Sequence, residues 1–421
     1  FMKHFYTKVI AFTLSVFGLV LGFAQYSNGY IVANEGNFGT PNAEISYIDA
    51  NNVVTNNVYA TANGGAQLGD VLQNIYFQDE KAFLVVNNSN KITVVDRSSF
   101  VKSAEITNHI FQPRYTTIAN GKIYTTNSPY GGSGYVSVHD ASTYAFIKEI
   151  PLSQLGEKVL TVNNKVYVMK SYFGAGDSIE VIDPATDSIV KTITIGDTLQ
   201  GMVTNGTDLF AFCSSGVSSV HKIDTTTDTV VKSLVGTNST ASYGYKFVLD
   251  GNQLYIGAGT GVYALNTDLN SFPNSPTFSV TASQGWDELY ALSAIDGKVF
   301  QGNANGFISN STLNVYTPTG TLLNTFTTTI GANAVYKNVY TTMATAQNNF
   351  VKVTVYPNPV SETLYIKGAK NAHYTLFDLS GRSLKSGVYS NGITVSGMAK
   401  GMYIIRITEN GKNTTEKFII K

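Results

Sequence analysis

Short apolar runs, each preceded by a tight polar turn, recur through the middle of the chain. Their aromatic members lie at positions 30, 83, 124, 167, 210, 255 and 300, so successive runs are 53, 41, 43, 43, 45 and 45 residues apart. A second series of runs follows, and six of its seven members end at Asp or Asn, which favour turns. No amphipathic helical pattern separates the runs. Seven copies of such a unit predict an all-β fold, a seven-bladed β-propeller whose blades have four short strands each.

The innermost strand of each predicted blade indicates how the ring closes. The first repeat begins at its second strand, so its innermost strand must come from elsewhere in the chain. Residues 334–338 follow the last outer strand and can supply it, which closes the ring and removes open sheet edges. The predicted innermost strands are residues 73–78, 114–119, 158–162, 200–204, 245–249, 290–295 and 334–338.

The first 24 residues have the pattern of a secretory signal peptide. Lys3 and Lys8 precede an apolar run over residues 9–23, and the small residues Gly22 and Ala24 then favour cleavage after Ala24. The run has about 15 residues, short of the roughly 20 that a membrane-spanning helix needs. Because Gln25 follows the cleavage site and no cysteine lies there, we expect no lipid attachment at that point.

Residues 353–421 carry a different pattern, in which alternating apolar runs are separated by glycine turns. This pattern predicts a small β-sandwich that is separate from the propeller of residues 25–346. Residues 347–352 would be the linker between them. From the pattern alone, the sandwich could be an adhesive or a carbohydrate-binding domain.

Composition and charge narrow the classes of function. Charged residues make up 13% of the chain and the formal net charge is zero, against roughly 25% charged residues in an average soluble domain. Residues 25–350 contain 16 basic and 24 acidic residues, which argues against nucleic acid as a partner. Cys213 is the only cysteine, so no intramolecular disulfide is expected.

The loops of the predicted propeller indicate where a ligand would bind. If strands alternate in direction, the loops between second and third strands share one face with the loops that enter the next blade. Aromatic rings flanked by Asn and Gly on that face suit stacking and hydrogen bonding, although single rings could instead pack between blades. The loop residues predicted to bind a ligand are Asn34, Glu35, Asn37, Phe38, Tyr130, Tyr172, Phe173, Tyr243, Trp286 and Phe307. The polar residues predicted at the channel are Gln73, Arg114, Lys158, Gln200, Tyr245 and Asp287.

Catalysis is not expected from this sequence. His139 and His221 fall in third strands away from the axis, and His109 lies in a loop that enters a blade. No His-x-x-x-His or other paired-ligand spacing occurs. We therefore predict no catalytic residue, no metal site and no cofactor.

Two resemblances rest on these motifs. The repeats resemble the YVTN or YncE-like family of seven-bladed propellers over about residues 26–346, most clearly at residues 164–168 and 179–187. The tail has Pro-Asn-Pro, Asp-Leu-Ser-Gly-Arg, Lys-Gly-Met-Tyr and a final Lys-Phe-Ile-Ile-Lys in the order of the C-terminal sorting domain of type IX secretion, to which it is similar. That resemblance implies transport across the outer membrane by the secretion machinery, to the cell surface or the medium.

A third resemblance concerns the ligand. The Asn-Glu-Gly-Asn-Phe-Gly loop at residues 34–39, together with residues 42–46, resembles the opening of surface propellers that capture cobalamin beside a TonB-dependent transporter. It implies capture of a corrinoid or similar nutrient for uptake. Two classes of function stay open, because small-molecule capture predicts a deep apolar central pocket, whereas a protein- or glycan-binding adhesion module predicts a flat or grooved polar face.

Overall fold

The computed structural model describes residues 25–171, 176–196, 198–237, 245–281, 289–339, 354–367, 372–378, 382–409 and 412–421. The chain divides into two compact units, Phe1–Thr342 and Met343–Lys421. The predicted signal peptide, residues 1–24, and the predicted linker, residues 347–352, lie outside the described residues.

Seven four-stranded antiparallel sheets make up the first unit, which confirms the predicted propeller. Its strands in chain order are β1 (Gly29–Asn34), β2 (Glu44–Ile48), β3 (Val54–Thr55), β4 (Leu72–Gln78), β5 (Lys81–Val86), β6 (Lys91–Asp96), β7 (Lys102–Ile106), β8 (Pro113–Ala119), β9 (Lys122–Asn127), β10 (Tyr135–Asp140), β11 (Phe146–Pro151), β12 (Gly156–Val162), β13 (Lys165–Lys170), β14 (Ser178–Asp183), β15 (Ser188–Thr194), β16 (Leu199–Thr204), β17 (Asp208–Ser215), β18 (Val217–Asp224), β19 (Thr229–Val235), β20 (Lys246–Asp250), β21 (Gln253–Ala258), β22 (Gly261–Asn266), β23 (Phe278–Ser279), β24 (Ala291–Ile295), β25 (Lys298–Asn303), β26 (Thr312–Tyr316), β27 (Leu322–Thr327) and β28 (Ala332–Asn338). Blades 1 to 7, each written from the innermost strand outward, are β28-β1-β2-β3, β4-β5-β6-β7, β8-β9-β10-β11, β12-β13-β14-β15, β16-β17-β18-β19, β20-β21-β22-β23 and β24-β25-β26-β27.

Strand β28 closes the ring as the sequence predicted. It pairs antiparallel with β1, so that Tyr30 lies opposite Lys337 and Ile31 opposite Tyr336. The Asn338 side-chain amide also donates to the Tyr26 carbonyl oxygen at 2.7 Å. The last strand of the propeller thus completes the first blade, and the ring has no unpaired strand at the junction of its two ends.

One short helix, α1 (Val58–Ala62), lies between blades 1 and 2, where the sequence predicted no helical stretch. The buried Glu44 side chain holds its first turn, because Oε1 accepts from the Ala60 N–H at 2.8 Å. A carboxylate near a helix N-terminus satisfies backbone donors that have no partner within the helix. This added segment explains why the first interval between repeats is longer than the others. A single 3-10 turn, Asn305–Phe307, lies between β25 and β26.

A repeated polar contact joins neighbouring blades within the apolar core. The hydroxyl of the buried Tyr124 in blade 3 donates to Asp187 Oδ1 of blade 4 at 2.5 Å, and Lys122 Nζ donates to Asp187 Oδ2 at 2.6 Å. We call these three residues the clamp. The same contact between blades 4 and 5 uses Tyr167, Lys165 and Asp228. The clamp residues Asp187 and Asp228 each lie four residues after a turn-forming Asp of the sequence repeat, Asp183 and Asp224, so the same kind of turn connects neighbouring blades in both cases.

The second unit is a small β-sandwich, as predicted. Its strands are β29 (Thr354–Tyr356), β30 (Thr363–Lys367), β31 (His373–Phe377), β32 (Ser383–Val388), β33 (Ile393–Thr394), β34 (Gly401–Glu409) and β35 (Lys412–Ile420). They form the sheets β29-β30-β33 and β32-β31-β34-β35. Leu364, Leu376, Ile405 and Phe418 are fully buried between the strands. Nowhere in the described ranges of the chain is there a helix long and apolar enough to cross a membrane.

Candidate functional site

A deep channel runs between the innermost strands of the propeller and has a volume of about 1420 Å³. All seven innermost strands contribute to its wall, since residues of β28, β4, β8, β12, β16, β20 and β24 line it. The loops that connect second to third strands surround one end. The channel therefore opens on the face where the sequence predicted a binding surface.

Aromatic rings lie around the mouth of the channel. Phe38 is 79% exposed and Tyr130 is 84% exposed, whereas Phe307 is half-buried. The Phe307 ring meets the edge of the Tyr290 ring at 4.9 Å between centroids. The Tyr130 N–H donates to Gln112 Oε1 at 2.5 Å, which fixes the loop that carries this ring. Exposed rings on anchored backbone can stack on a ligand at little conformational cost.

Below the mouth, the two carboxylates among the described lining residues, Glu35 and Glu157, already have partners. Glu157 accepts two hydrogen bonds from Arg114, at 2.8 Å from Nε to Oε2 and at 2.7 Å from Nη2 to Oε1. Glu35 accepts from the Tyr290 hydroxyl and, at 2.8 Å, from the Asn333 side-chain amide. Burial raises the pKa of Tyr290, and the neighbouring Glu35 carboxylate adds to that shift. The tyrosine therefore remains a hydrogen-bond donor at neutral pH.

Two lysines face the same cavity. Lys158 belongs to β12 of blade 4 and Lys246 to β20 of blade 6, so blade 5 lies between them. Burial and, after it, the charge of nearby Lys246 lower the pKa of Lys158 to about 8, although Glu157 acts in the opposite direction. Burial also lowers the pKa of Lys246. Both ammonium groups are thus partly removed from water without full compensation.

The wall beyond these polar residues is mainly apolar. Its side chains come from four consecutive blades and from β28: Leu160, Met202, Val203, Val248, Leu249, Leu292, Ile295 and Val335. A cavity with a polar upper part and an apolar lower part suits a ligand that has a hydrocarbon body and a few polar groups.

The structure brings together nine of the sixteen residues that the sequence predicts to bind a ligand or to line the channel. The cavity is lined by Glu35, Phe38, Gln73, Arg114, Tyr130, Gln200 and Phe307, and also by Lys158 and Tyr245. Tyr172, Phe173, Tyr243, Trp286 and Asp287 lie outside the described residues.

Two predicted residues lie inside the loop scaffold and do not line the channel. Asn34 is fully buried, and its amide donates within blade 1 to Val32 and Glu44 backbone oxygens. Asn37 donates to the Phe307 carbonyl oxygen at 2.5 Å and so joins blade 1 to blade 7. An Asn side chain beside a strand end can donate to nearby backbone carbonyl oxygens. Both amides do so here, and they therefore stabilise the loop and do not face a ligand.

Several channel residues escaped the sequence analysis. Glu157, Lys246, Tyr290, Asn333 and Tyr336 all line the cavity. Glu157, Lys246, Tyr290 and Asn333 occupy or adjoin the first positions of innermost strands, whereas Tyr336 is the fifth residue of β28. Charged residues at such positions are the signal that would have identified Glu157 and Lys246.

The histidines lie away from the channel. His139 Nε2 is 2.8 Å from the Asn108 carbonyl oxygen, His221 contacts Ser219 and Ser233, and His109 Nδ1 is 2.6 Å from Glu149 Oε1. Among the residues that the structure describes, no group of three His, Cys, Asp or Glu side chains could hold a metal ion.

The fold and the tail together define a class, a seven-bladed propeller that carries a secretion signal at its C-terminal end. The model of a secretion system C-terminal sorting domain matches residues 354–421. The protein is therefore secreted through the type IX system to the cell surface or the extracellular space, and its tail interacts with that machinery. The chain belongs to the DUF5074 family, described as a domain of unknown function, whose model matches residues 28–293. A search of curated proteins finds no match.

Solved structures agree on the fold. A functionally unknown protein from Desulfotomaculum acetoxidans DSM 771 has a TM-score of 0.56 at 13% identity, covering 75% of this chain and 100% of that one. A quinonprotein alcohol dehydrogenase-like protein from Bacteroides thetaiotaomicron VPI-5482 has a TM-score of 0.55 at 15% identity, covering 74% and 78% respectively. At such identities the likeness concerns the fold alone.

Proposed function

We propose that this secreted propeller is a non-catalytic binding protein that captures a small molecule in its central channel. The observation that carries the proposal is the channel itself, about 1420 Å³, with aromatic rings at its mouth and an apolar lower wall. Of the two classes that the sequence leaves open, only small-molecule capture predicts such a cavity. The cavity supports this class over the adhesion module, for which a flat or grooved polar face is predicted.

The finer proposal is that the ligand is a corrinoid or a nutrient of similar size. A corrin ring is flat and carries amides around its edge, so it would stack on Phe38 and Tyr130 and hydrogen-bond to Gln73 and Gln200. The likeness of residues 34–39 and 42–46 to cobalamin-capturing surface propellers supports this choice. We further propose that the ligand passes to a TonB-dependent transporter. We also propose that the propeller is related to the YVTN or YncE-like family.

The test is a thermal-shift screen of the chain from residue 25 onward against corrinoids, haem, siderophores and oligosaccharides. A ligand that binds only the folded state raises the melting temperature by mass action. At a ligand concentration a hundred times Kd, the free energy of unfolding rises by about 2.7 kcal/mol. We expect a shift with one small-molecule class, cyanocobalamin being the first probe. A shift with oligosaccharides alone, or with nothing in the panel, would contradict the proposal.

Variants at the mouth connect a hit to the channel. Phe38→Ala and Tyr130→Ala should weaken binding measured by titration calorimetry, and neither should lower the melting temperature, because both rings are largely exposed. The matched control is Ile308→Ala, which removes a side chain that is 89% exposed beside Phe307 without lining the cavity. Equal affinity of all three variants would place the ligand elsewhere.

A further inference from the structure

The charges that line the channel do not balance locally. Among the described lining residues there are three cations, Arg114, Lys158 and Lys246, and two carboxylates, Glu35 and Glu157. Residues 25–350 as a whole carry 16 basic and 24 acidic residues. A channel with an excess of positive charge inside an acidic propeller is therefore a local feature that does not follow from the overall composition.

Glu35 and Glu157 are poor partners for Lys158 and Lys246, because each carboxylate already accepts hydrogen bonds from other residues. Glu157 accepts from Nε and Nη2 of Arg114, and Glu35 accepts from Tyr290 and Asn333. A bidentate pair of this kind occupies both oxygens of the carboxylate.

The lysine ammonium groups have no such partner within the described part of the chain. Lys158 makes no hydrogen bond or ion pair there, and Lys246 makes only cation–π contacts, 5.1 Å from the Tyr290 ring centroid and 5.8 Å from that of Tyr245. Burial and then the charge of Lys246 lower the pKa of Lys158, and burial and Arg114 lower the pKa of Lys246 although Glu35 and Glu157 act in the opposite direction. Two half-buried ammonium groups that face one cavity are stabilised when an anion enters it.

We propose that Lys158 and Lys246 form an anion subsite in the channel, which binds a negatively charged oxygen group of a ligand whose remaining body packs on the apolar lower wall. Carboxylate, phosphate and sulfonate groups share the required chemistry. The subsite rests on the proposed function in that a small molecule must enter the channel. It adds the class of ligand, an amphipathic anion.

The test uses two fluorescent probes with the same hydrocarbon skeleton. 8-Anilinonaphthalene-1-sulfonate carries the anion, and N-phenyl-1-naphthylamine lacks it. We expect the wild-type chain to bind the sulfonate at least tenfold more tightly than the neutral probe at pH 7. Lys158→Met and Lys246→Met should each weaken sulfonate binding about tenfold, as expected for the loss of a charge-assisted hydrogen bond, and leave neutral-probe binding unchanged.

Two controls keep the result interpretable. Lys232→Met removes an exposed lysine from the outermost strand of blade 5 and should change neither affinity. Lys246→Arg retains the positive charge and should retain the preference for the sulfonate, whereas a structural role for the lysine side chain would not be rescued in this way. Thermal melting of each variant shows whether it is folded.

The outcomes separate the subsite from the proposed function. If both probes bind in the wild type with equal affinity, or if the Lys158→Met, Lys246→Met double variant binds the sulfonate as tightly as the wild type does, the anion subsite is wrong while small-molecule capture stands. If neither probe binds and the ligand panel is also silent, both proposals are contradicted.

Discussion

The clamp between blades 3 and 4 gives a stability prediction that can be worked from the structure. Tyr124→Phe removes the hydroxyl that donates to Asp187 Oδ1 at 2.5 Å and leaves the apolar packing of the ring intact. The Asp187 side chain is only 11% exposed, so water cannot fully replace the lost donor. A hydrogen bond to a charged group contributes about 1.5–3 kcal/mol. We expect the free energy of unfolding to fall by about 2 kcal/mol.

Removal of the carboxylate should cost more than removal of the hydroxyl. Asp187→Ala leaves both Lys122 and Tyr124 without their ionic partner, and the loss of one member of a buried pair costs about 3 kcal/mol or more. The Tyr124 hydroxyl and the Asp187 carboxylate are the two partners of one hydrogen bond. In the double variant the two losses should therefore be less than additive.

The assay is urea unfolding followed by tryptophan fluorescence. The only tryptophan, Trp286, belongs to the propeller unit, so its signal follows that unit and not the tail. The matched control is Tyr255→Phe, because Tyr255 has the same place in blade 6 and is buried, yet its hydroxyl makes no hydrogen bond among the described residues. We expect this control to cost less than about 0.5 kcal/mol. Equal losses for Tyr124→Phe and Tyr255→Phe would refute the reasoning.

Three further predictions concern the ring and the channel. Deletion of residues 330–345 removes β28 and should abolish the cooperative unfolding of the propeller; a deletion variant that melts like the wild type would contradict ring closure. Gly201→Ala places a Cβ 2.5 Å from the Phe247 Cβ of the next blade and should destabilise the fold by about 1–3 kcal/mol in the same urea assay. Because a bound anion raises the pKa of Lys158 from its value of about 8, sulfonate binding should take up protons near pH 8.5 and almost none at pH 6, with Lys246 and Glu157 as the neighbouring charges. Calorimetry in two buffers of different ionisation enthalpy measures the uptake, and no pH dependence would argue against the subsite.

The sequence predicted the propeller well because its signals are local. Each blade is a set of short alternating runs separated by turns, so period and turn chemistry suffice to place the strands. The closing role of residues 334–338 also followed, because the first repeat visibly lacks its innermost strand. Helix α1 was missed, since five residues are too few to establish a helical period and its first turn depends on Glu44, outside the segment.

The channel was predicted only in part because its contacts are not local. The ring brings the Tyr290 hydroxyl to Glu35 across 255 residues of sequence, and the Asn333 amide to Glu35 across 298. The periodicity of the sequence does not predict which side chains of distant blades lie close together across the channel. Asn34, at the end of β1, and Asn37, in the following loop, illustrate the converse case, since their amides hydrogen-bond to the backbone of the scaffold and not to the channel.

The most direct test of channel capture is a titration of the strongest ligand from the screen against a chain whose channel has been filled. Ala334→Trp and Gln200→Trp each add bulk to the channel wall, from blades 1 and 5, and Val231→Trp adds it to the exposed outer strand of blade 5 as a control. Calorimetry should give one site per chain in the wild type and the control, and at least a tenfold loss of affinity in both channel variants at unchanged melting temperature. Wild-type affinity in folded Ala334→Trp and Gln200→Trp chains would contradict the account.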